Sequence, residues 1–327
     1  MEISVSLNFV LQEYLPHIPE SFSASEIDTL VSVMGIPDPF KTAGRYNFSA
    51  LEVFCLLLAH LRSAGEIGEL TAKFNQSASA ISEGVNELVL YLDVRWSHLL
   101  EFDKDGIMSP SNLACYAAAI HAAGAPLTTI LGFIDCTIWH ICRPTLYQRI
   151  AYSGHKKFHA LKFQAVQLPN GLIGHLFGLV EGRHADPWLL TESGLLAALR
   201  TYAIHPNTDE NTPDHEHYFQ IFGDPAYGVS CHIMSPFAGV GHRTQDEQDW
   251  NNAMAATRIE VEHGFGGVTQ QWPMLNAWWK LKINTSPVGR YYRVAVLLTN
   301  ALNCIRPNQT SQYFDIAPPE LHKYFHD

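Results

Sequence analysis

Cysteines at metal-binding or redox spacing are absent from this chain. Its six cysteines stand singly, without a C-x-x-C pair, which argues against a zinc ribbon or a disulfide scaffold. Long apolar runs are also absent, since no stretch reaches the roughly 18 residues of a membrane span, and residues 1–20 carry acids where a secretory signal carries bases. We therefore expect a soluble, intracellular protein with reduced cysteines and no membrane contact.

Basic residues are scarce overall and unevenly distributed. The 327 residues carry a net charge of −11, which argues against binding to nucleic acid because lysines and arginines supply most of the affinity for phosphates. Residues 1–110 hold 15 acids and 6 bases, and residues 181–250 hold 11 acids and 3 bases. Between them, residues 141–180 hold five bases and no acid. This basic segment is either a groove that faces phosphates or an ordinary solvated surface.

Three helical patterns follow one another at 49–65, 66–74 and 78–92, with the spacing of a helix-turn-helix. The first begins with Ser49 and Glu52 in capping-box spacing. The third, which would be the recognition helix, has no Lys or Arg, although base reading usually relies on Arg, Lys, Asn or Gln. Two interpretations stay open, a DNA-reading unit and a helical packing or dimerisation module.

From about residue 128 the pattern changes to strands. Three alternating apolar segments, at 127–141, 157–168 and 170–182, predict adjacent antiparallel strands, and the last begins with an Asn-Gly turn. Helical and strand patterns then alternate: a helix over 186–203, a short strand within 218–227 and a helix over 247–266. This order predicts an α/β fold in which helices cover a mixed sheet.

Two aspartates occur where a purely structural residue is not expected. Asp135 interrupts an apolar strand, and because an unpaired buried carboxylate is costly, we expect a metal or cation partner for it. Asp224 follows the short strand in GDPAYG, where the chain turns sharply. An ordinary Asx turn is the alternative interpretation of Asp224.

The segment AATRIEVEHGFGG contributes a third acid. At about 100° per residue, apolar residues mark one helix face: Met254, Ala255, Ile259, Val261, Phe265 and Val268. Glu262 falls inside this arc and Glu260 falls opposite, so we expect Glu262 to face the sheet. The alternative role of Glu262 is an ion pair with Arg258, four residues earlier.

Two aspartates and one glutamate aimed at a single point suit two divalent ions about 3.5–4 Å apart, the arrangement for in-line attack at a phosphodiester. Hard oxygen ligands select Mg²⁺ or Mn²⁺. The basic segment would then guide the DNA backbone, and four of its residues are candidate phosphate contacts: Arg143, Lys156, Lys157 and Lys162.

Five segments, in this order within residues 128–300, resemble the DDE endonucleases of the PIF/Harbinger transposase group and their domesticated, Harbinger-derived nuclease relatives. The segments are GFIDCTIWHICRP, YSGHKKFHALKFQAV, GRHADPWLL, FGDPAYG and RIEVEHGFGGV. The resemblance implies an RNase H-like fold with Asp135, Asp224 and Glu262 as a metal-binding catalytic triad. The sequence differs from the family pattern at Gly267 and Val268, where the family more often has Leu-Lys.

The resemblance also implies partners and accessory residues. DNA is the expected substrate, and a separate Myb-like protein would supply DNA binding and entry into the nucleus, without which the chain would stay cytoplasmic. His184 and Asp186 are accessory site candidates, although the favoured role of Asp186 is to cap a helix that starts at Pro187. The histidines at 155, 159, 175 and 184 fit no standard zinc spacing.

We therefore expect three parts, a helical region at 1–125 with its helix-turn-helix-like unit at about 49–95, an RNase H-like nuclease domain at 126–310 and a tail at 311–327. A homodimer is a further expectation. Three functional hypotheses remain at this point: a metal-dependent DNA endonuclease or transposase, a domesticated DNA-binding or protein-interaction module that no longer cuts, and a phosphohydrolase of small molecules.

Overall fold

The computed structural model describes residues 22–63, 67–209, 211–239, 241, 243–283 and 285–327, except for the side chains of residues 260–265. The first part is mostly helical. Its elements are α1 (Ala24–Val33), β1 (Phe40–Lys41), β2 (Asn47–Phe48), α2 (Ala50–Arg62), α3 (Ile67–Phe74), α4 (Ala78–Trp96) and α5 (Pro110–Ala122).

The second part contains the main sheet. Its strands are β3 (Ile130–His140), β4 (Tyr152–Ser153), β5 (Phe158–Gln167), β6 (Ile173–Glu181), β7 (Gln220–Phe222) and β8 (Ile233–Met234). Its helices are α6 (Gln148–Ala151), α7 (Asp186–Glu192), α8 (Leu195–Tyr202), α9 (Asp214–His217), α10 (Gln245–Gln271), α11 (Val288–Ile305), α12 (Gln309–Tyr313) and α13 (Leu321–Tyr324).

Helices α2, α3 and α4 are the three that the sequence pattern predicts. Helix α2 begins after Ser49, whose hydroxyl accepts the Glu52 N–H at 3.1 Å. Helix α4 packs against α2, α3 and α11. On α4, Glu87 accepts the Ala43 N–H at 2.9 Å and Asn86 accepts the Tyr291 hydroxyl of α11 at 2.6 Å. Because these side chains bind neighbouring parts of the chain, the contacts favour the packing interpretation of this unit over DNA reading.

The six-stranded sheet is mixed. Strand β5 lies between β3 and β6 and is antiparallel to both, which confirms the three predicted strands. On the other side of β3, strands β7 and β8 run parallel to it, and β4 pairs with the start of β5. Helices α5, α7, α10 and α11 pack against the strands. The predicted α/β class, an RNase H-like mixed sheet flanked by helices after a helical region, is confirmed.

The β5–β6 hairpin closes where the Asn-Gly pair predicts a turn. Gly171 has φ +81, a conformation that glycine adopts without steric cost, and its N–H donates to the Leu168 carbonyl at 3.0 Å. Leu168 in turn donates to the Leu172 carbonyl at 3.0 Å. The turn therefore sets the register that carries Lys162 and its neighbours along β5.

Strand β6 pairs only with β5 among the described residues, so its other side is an edge of the sheet. Asn300 of α11 occupies this edge, because its side-chain oxygen accepts the Ile173 N–H and its amide donates to the Ile173 carbonyl, both at 2.9 Å. Asn303, one turn later, donates to the Gly171 carbonyl at 2.8 Å. The start of the edge strand is thereby hydrogen-bonded to side chains rather than to another strand.

Several elements differ from the sequence predictions. The helix predicted over 186–203 is two helices, α7 and α8, because Gly194 takes φ +70 between them. Helix α10 runs beyond the predicted 247–266 at both ends. The sequence predictions did not include helices α1 and α5, and α5 in particular has many small residues and little helical periodicity. Within the described part of the chain, no helix has both the length and the apolar character needed to cross a membrane.

Candidate active site

Asp135, in the middle of β3, and Asp224, just after the end of β7, line the same cleft. Strands β3 and β7 are parallel, and Phe133 pairs with Phe222. Asp135 and Asp224 each follow two residues later, Asp135 still within β3 and Asp224 at the start of the short turn after β7. Both line one cleft of about 690 Å³. Ligands of open α/β sheets bind at this end of parallel strands.

A small hydrophobic cluster lies under the two aspartates and fixes their strands to α10. Its buried residues are Ile120, Ala125, Ile130, Phe133, Phe222, Met254 and Phe314. The rings of Phe133 and Phe222 meet edge to face at 6.3 Å, and Trp250 of α10 packs edge-on against Phe222 at 5.9 Å. Burying each such side chain contributes about 1.5–3 kcal/mol, so the positions of Asp135, Asp224 and α10 are coupled through this cluster.

Asp135 has the cation partner expected from the sequence, but it is not buried. Its side chain is 41% exposed, and its Oδ2 lies 3.7 Å from Nη2 of Arg258 on α10. Its Oδ1 accepts the Cys136 N–H at 2.8 Å. The apolar residues around Asp135 in the sequence predicted burial, whereas β3 reaches the cleft at this point because β7 ends opposite Phe133.

Asp224 forms the Asx turn that the sequence allows. Its Oδ1 accepts the Ala226 N–H at 3.0 Å, and its carbonyl accepts the Ser235 hydroxyl at 2.8 Å. These bonds hold the backbone that carries Asp224. The turn uses one carboxylate oxygen, and no bond to the second occurs among the described residues, so the structural role leaves Asp224 able to bind a ligand as well.

Cys136 and Tyr227 connect the two aspartate-bearing segments. Cys136 follows Asp135 directly, and its sulfur lies 3.2 Å from the hydroxyl of Tyr227, three residues after Asp224. Burial raises the pKa of the Cys136 thiol, and it also raises the pKa of the Tyr227 hydroxyl. Both groups therefore stay neutral, and the thiol is a poor nucleophile. Their role here is to join the strands.

A buried ion pair forms another part of the cleft. Lys162 of β5 binds the Asp186 carboxylate, with side chains 8% and 25% exposed, and its ammonium also donates to the His184 carbonyl at 2.9 Å. Asp186 was expected to cap α7, but α7 begins at Asp186 and has no side-chain cap. The cap prediction is wrong, because the carboxylate turns to Lys162. We also revise Lys162, which is occupied by this pair rather than presented to phosphate.

The side chain of His184 faces other parts of the chain as well. Its ring stacks on Trp188 at 3.8 Å, and its Nε2 lies 3.4 Å from the Glu181 carboxylate. His184 and Asp186 both line the cleft that contains Asp135 and Asp224. The structure thus brings the two accessory candidates and the two aspartates to one cavity.

The remaining candidate phosphate contacts are exposed. Lys156 lines the cleft, whereas Lys157 and Arg143 lie on the surface outside its lining. The Arg143 guanidinium donates twice to the Gln148 side chain, at 3.0 and 2.8 Å. Of the three, Lys156 is the one placed to meet a ligand bound between the aspartates.

Helix α10 begins with a capping box, in which Thr244 accepts the Glu247 N–H at 3.2 Å and Glu247 accepts the Thr244 N–H at 2.9 Å. Its buried stripe differs from the predicted arc. Thr257 is buried beside Met254 because its hydroxyl donates to the Met254 carbonyl at 3.0 Å, whereas Ile259 is 54% exposed.

Ala255 is also exposed, so the face predicted from Ala255 and Ile259 is wrong at those positions. Met254 and Val268 are buried as predicted. The side chains of Glu260 and Glu262 lie outside the described residues, so the orientation predicted for them stays a prediction.

The described side chains do not by themselves complete a metal site. Among the described side chains, no group of three His, Cys, Asp or Glu is close enough to hold a metal ion. All six cysteines are free, as expected. Asp135 and Asp224 supply the hard oxygen donors that Mg²⁺ and Mn²⁺ prefer, and a third carboxylate would have to come from outside the described side chains.

Comparison with known proteins identifies the family of the chain. A family model described as DDE superfamily endonuclease matches residues 134–300, just over half of the chain, and its range includes both aspartates and α10. The chain belongs to this DDE endonuclease family. No curated protein and no solved structure matches the chain. DDE superfamily endonucleases generally use divalent metals and act on DNA.

Sequence reasoning missed three contacts in the cleft of this DDE endonuclease. Arg258 was considered only as a partner of Glu262, yet its guanidinium reaches Asp135 across from α10. The Cys136–Tyr227 contact joins positions 91 residues apart, and the Lys162–Asp186 pair joins positions 24 apart. Cys136 and Lys162 gave only a weak signal, a polar residue inside an apolar strand, and that signal identifies neither the partner nor the distance.

Proposed function

We propose that the chain is a metal-dependent DNA endonuclease of the PIF/Harbinger transposase type, with Asp135, Asp224 and Glu262 as metal ligands. The observation that carries the proposal is the shared cleft of Asp135 and Asp224, which each stand two residues beyond the paired residues Phe133 and Phe222 of the parallel strands β3 and β7. The five segments that resemble the PIF/Harbinger group support this subtype.

Glu262 is the third ligand in this proposal because of its place on α10. It follows Arg258 by four residues, about one helical turn, and Arg258 contacts Asp135. Glu260 follows Arg258 by two residues and therefore lies on another side of the helix. The helix backbone and the position of Arg258 therefore support Glu262, whereas Ala255 and Ile259 do not.

The residues of the cleft divide the work. Asp135, Asp224 and Glu262 hold the cations, and Arg258 orients the Asp135 carboxylate. Lys156 binds a backbone phosphate, and the Cys136–Tyr227 contact keeps the two aspartate-bearing segments together. When bound, Mg²⁺ or Mn²⁺ lowers the pKa of the attacking water or hydroxyl and stabilises the leaving oxygen. The Lys162–Asp186 pair supports the wall of the cleft.

In this proposal the chain needs a partner protein to bind DNA. The net charge of −11 opposes general affinity for phosphate, and α4 has no base before Arg95. We therefore propose that a separate Myb-like protein binds DNA and brings the chain into the nucleus. A homodimer and the domain boundaries at 125/126 and 310/311 belong to the same proposal, and the family match lies within the proposed nuclease domain.

The experiment compares two neighbouring glutamates. Nicking of DNA that bears terminal repeats is measured with Mn²⁺ in the presence of the DNA-binding partner, for wild type, Glu262→Gln and Glu260→Gln. Glu262→Gln should abolish nicking, whereas Glu260→Gln should leave it nearly unchanged. Loss of nicking in Glu260→Gln alone would reverse the assignment, and no nicking by the wild type would reject the nuclease.

A second candidate function is a domesticated DNA-binding or interaction module that no longer cuts. Arg258 favours it, because a guanidinium 3.7 Å from Asp135 supplies positive charge that a metal ion would otherwise supply. Titration with Mn²⁺ distinguishes the two. The nuclease should bind Mn²⁺ and lose that binding in Asp135→Asn, whereas the module should show DNA or partner binding but no carboxylate-dependent uptake of Mn²⁺.

A further inference from the structure

Four aromatic rings form a continuous group at the end of β3. His140 stacks between Phe158 and Trp278, with centroid distances of 4.3 and 4.5 Å and interplanar angles of 28° and 11°. Trp279 meets Trp278 edge to face at 5.9 Å. Burial lowers the pKa of His140, with His159 adding to the effect, so the imidazole is neutral near pH 7 and stacks as an aromatic ring. We name these four residues the ring platform.

The ring platform is exposed although its backbone is firmly held. Trp278 and Trp279 are 41% and 52% exposed. The segment that carries them is bound to β3, because the Trp139 indole donates to the Leu275 carbonyl and the Cys142 N–H donates to the Leu281 carbonyl at 3.1 Å. A ligand that stacks there would meet side chains already in place, which lowers the entropic cost of binding.

The ring platform also joins two acid-free parts of an acidic chain. Residues 136–180 contain no Asp or Glu, and neither do residues 263–314. His140 and Phe158 come from the first segment, and Trp278 and Trp279 come from the second. Lys282 is exposed two residues from Lys280, and Arg143 is close enough to affect the pKa of His159. The local charge therefore suits an anionic ligand.

The ring platform borders the cleft. His140 follows Ile138 by two residues and Phe158 follows Lys156 by two, and Ile138 and Lys156 both line the cleft. Along β3, His140 lies four residues beyond Cys136, which lines the cleft and stands on the same face of the strand, about 13 Å away at the strand rise. That length corresponds to about four nucleotides of a stacked DNA strand.

We propose that the ring platform binds unpaired nucleobases of a DNA strand that passes from the cleft, with Trp279 stacking on a base and Lys282 near the backbone. Planar exposed indoles together with positive charge and no neighbouring acid in the sequence are the combination that single-stranded nucleic acid requires. A protein partner would be favoured by apolar exposure without this charge. The proposal rests on the proposed function, because it takes DNA as the ligand.

The experiment measures affinity without cleavage. A labelled single-stranded oligodeoxynucleotide is titrated with the full chain in EDTA at fixed salt, followed by fluorescence anisotropy. Trp279→Ala should weaken binding by roughly tenfold or more, and Trp279→Phe should restore much of it. Tyr313→Ala removes an aromatic residue of similar exposure far along the chain and should change affinity by less than about twofold. Thermal unfolding confirms that each variant is folded.

A second substitution, in the DNA, isolates stacking from charge. Replacing bases with abasic sites should lower the affinity of the wild type but not that of Trp279→Ala. Lys282→Gln should lower the affinity for the intact and the abasic oligonucleotide alike. Lys323→Gln should change the affinity for neither. Equal affinity of wild type and Trp279→Ala would overturn the proposal. So would a change in sedimentation without a change in affinity, which would show that the rings join two copies of the chain.

The outcome is separable from that of the proposed function. Nicking by the wild type combined with unchanged affinity in Trp279→Ala would overturn only the ring platform. Absence of nicking combined with the expected loss of affinity would overturn only the nuclease.

Discussion

The acids of one cleft have two different environments. Asp186 is mostly buried and bound to the buried ammonium of Lys162, while Asp135 is 41% exposed with Arg258 at 3.7 Å, and Asp224 is partly exposed in a turn. All three line the same cavity. The first carboxylate is neutralised by the protein itself, whereas the other two keep oxygens at the cavity surface.

The two environments indicate different roles, a structural role for Asp186 and a ligand-binding role for Asp135 and Asp224. A buried carboxylate without a partner is costly, so the Lys162–Asp186 pair is a condition for folding of that wall. An exposed carboxylate carries no such need, and its placement beside a second one raises local negative charge that a divalent cation relieves. The two environments predict different consequences when each acid is removed.

The largest effect is expected from the exposed pair. Asp135→Asn and Asp224→Asn should each lower Mn²⁺-dependent nicking by roughly a thousandfold or more, because the transition state loses several kcal/mol of charge stabilisation. The unfolding free energy should change little. Asp209→Asn, which alters an exposed loop acid, is the control and should nick as the wild type does. Nicking within tenfold of wild type in either cleft variant would remove that aspartate from the triad.

Breaking the buried pair should act on stability. Asp186→Asn leaves the Lys162 ammonium buried without its counter-charge and should lower the free energy of unfolding by about 3–5 kcal/mol, measured by urea denaturation. The double variant Lys162→Met, Asp186→Leu should recover much of this loss, since it removes both charges. If Asp186→Asn abolished nicking at unchanged stability, Asp186 would belong with the exposed acids.

A buried group without a charged partner sharpens the comparison. Burial lowers the pKa of His175 on β6 to about 4, against a smaller opposing effect of a hydrogen bond to the Ser193 backbone. In the unfolded chain this histidine takes up a proton near pH 6.5, whereas in the folded chain it does so only near pH 4. The stabilising contribution of neutral His175 is therefore complete above about pH 6.5. The free energy of unfolding falls as the pH drops towards 4, by up to about 1.4 kcal/mol per pH unit. In urea titrations between pH 7.5 and 4.5, His175→Gln should flatten this slope, whereas exposed His322→Gln should not.

The smallest effect is expected between the two aspartate-bearing segments. Tyr227→Phe removes the hydroxyl that meets the Cys136 sulfur and should cost about 1 kcal/mol of unfolding free energy. Nicking should fall only severalfold, because Asp135 and Asp224 remain. A Tyr202→Phe variant, altered outside the cleft, provides the comparison. A thousandfold loss in Tyr227→Phe would mean that the hydroxyl itself contacts the ligand.

The sequence predicted much of the fold and less of the site. The sheet strands β3, β5 and β6 follow from alternation and one Asn-Gly turn, since these signals are local. Helix α5 was not predicted because its small residues give it little helical periodicity. The break at Gly194 was not predicted because a glycine inside a helical pattern does not indicate which φ it adopts. The sequence predicted where a helix such as α10 lies better than it predicted which residues of that helix are buried.

Within the site, sequence placed the acids but not their environments. Asp135 was expected to be buried because its neighbours are apolar, yet burial depends on where β7 ends. Asp186 was expected to cap α7, yet Lys162 lies on a strand that the local pattern cannot bring to it. Ion pairs between distant segments depend on how those segments pack, and the periodicity of the sequence does not predict that packing.

Asn300 has a consequence for association of the protein. An open strand edge is a template on which another chain can add its own strand, and natural proteins protect such edges against aggregation. By occupying both backbone groups of Ile173, Asn300 prevents a second copy from extending the sheet at the start of β6. Its replacement by leucine would leave those buried groups without hydrogen-bond partners, and light scattering on warming would report self-association of the destabilised chain.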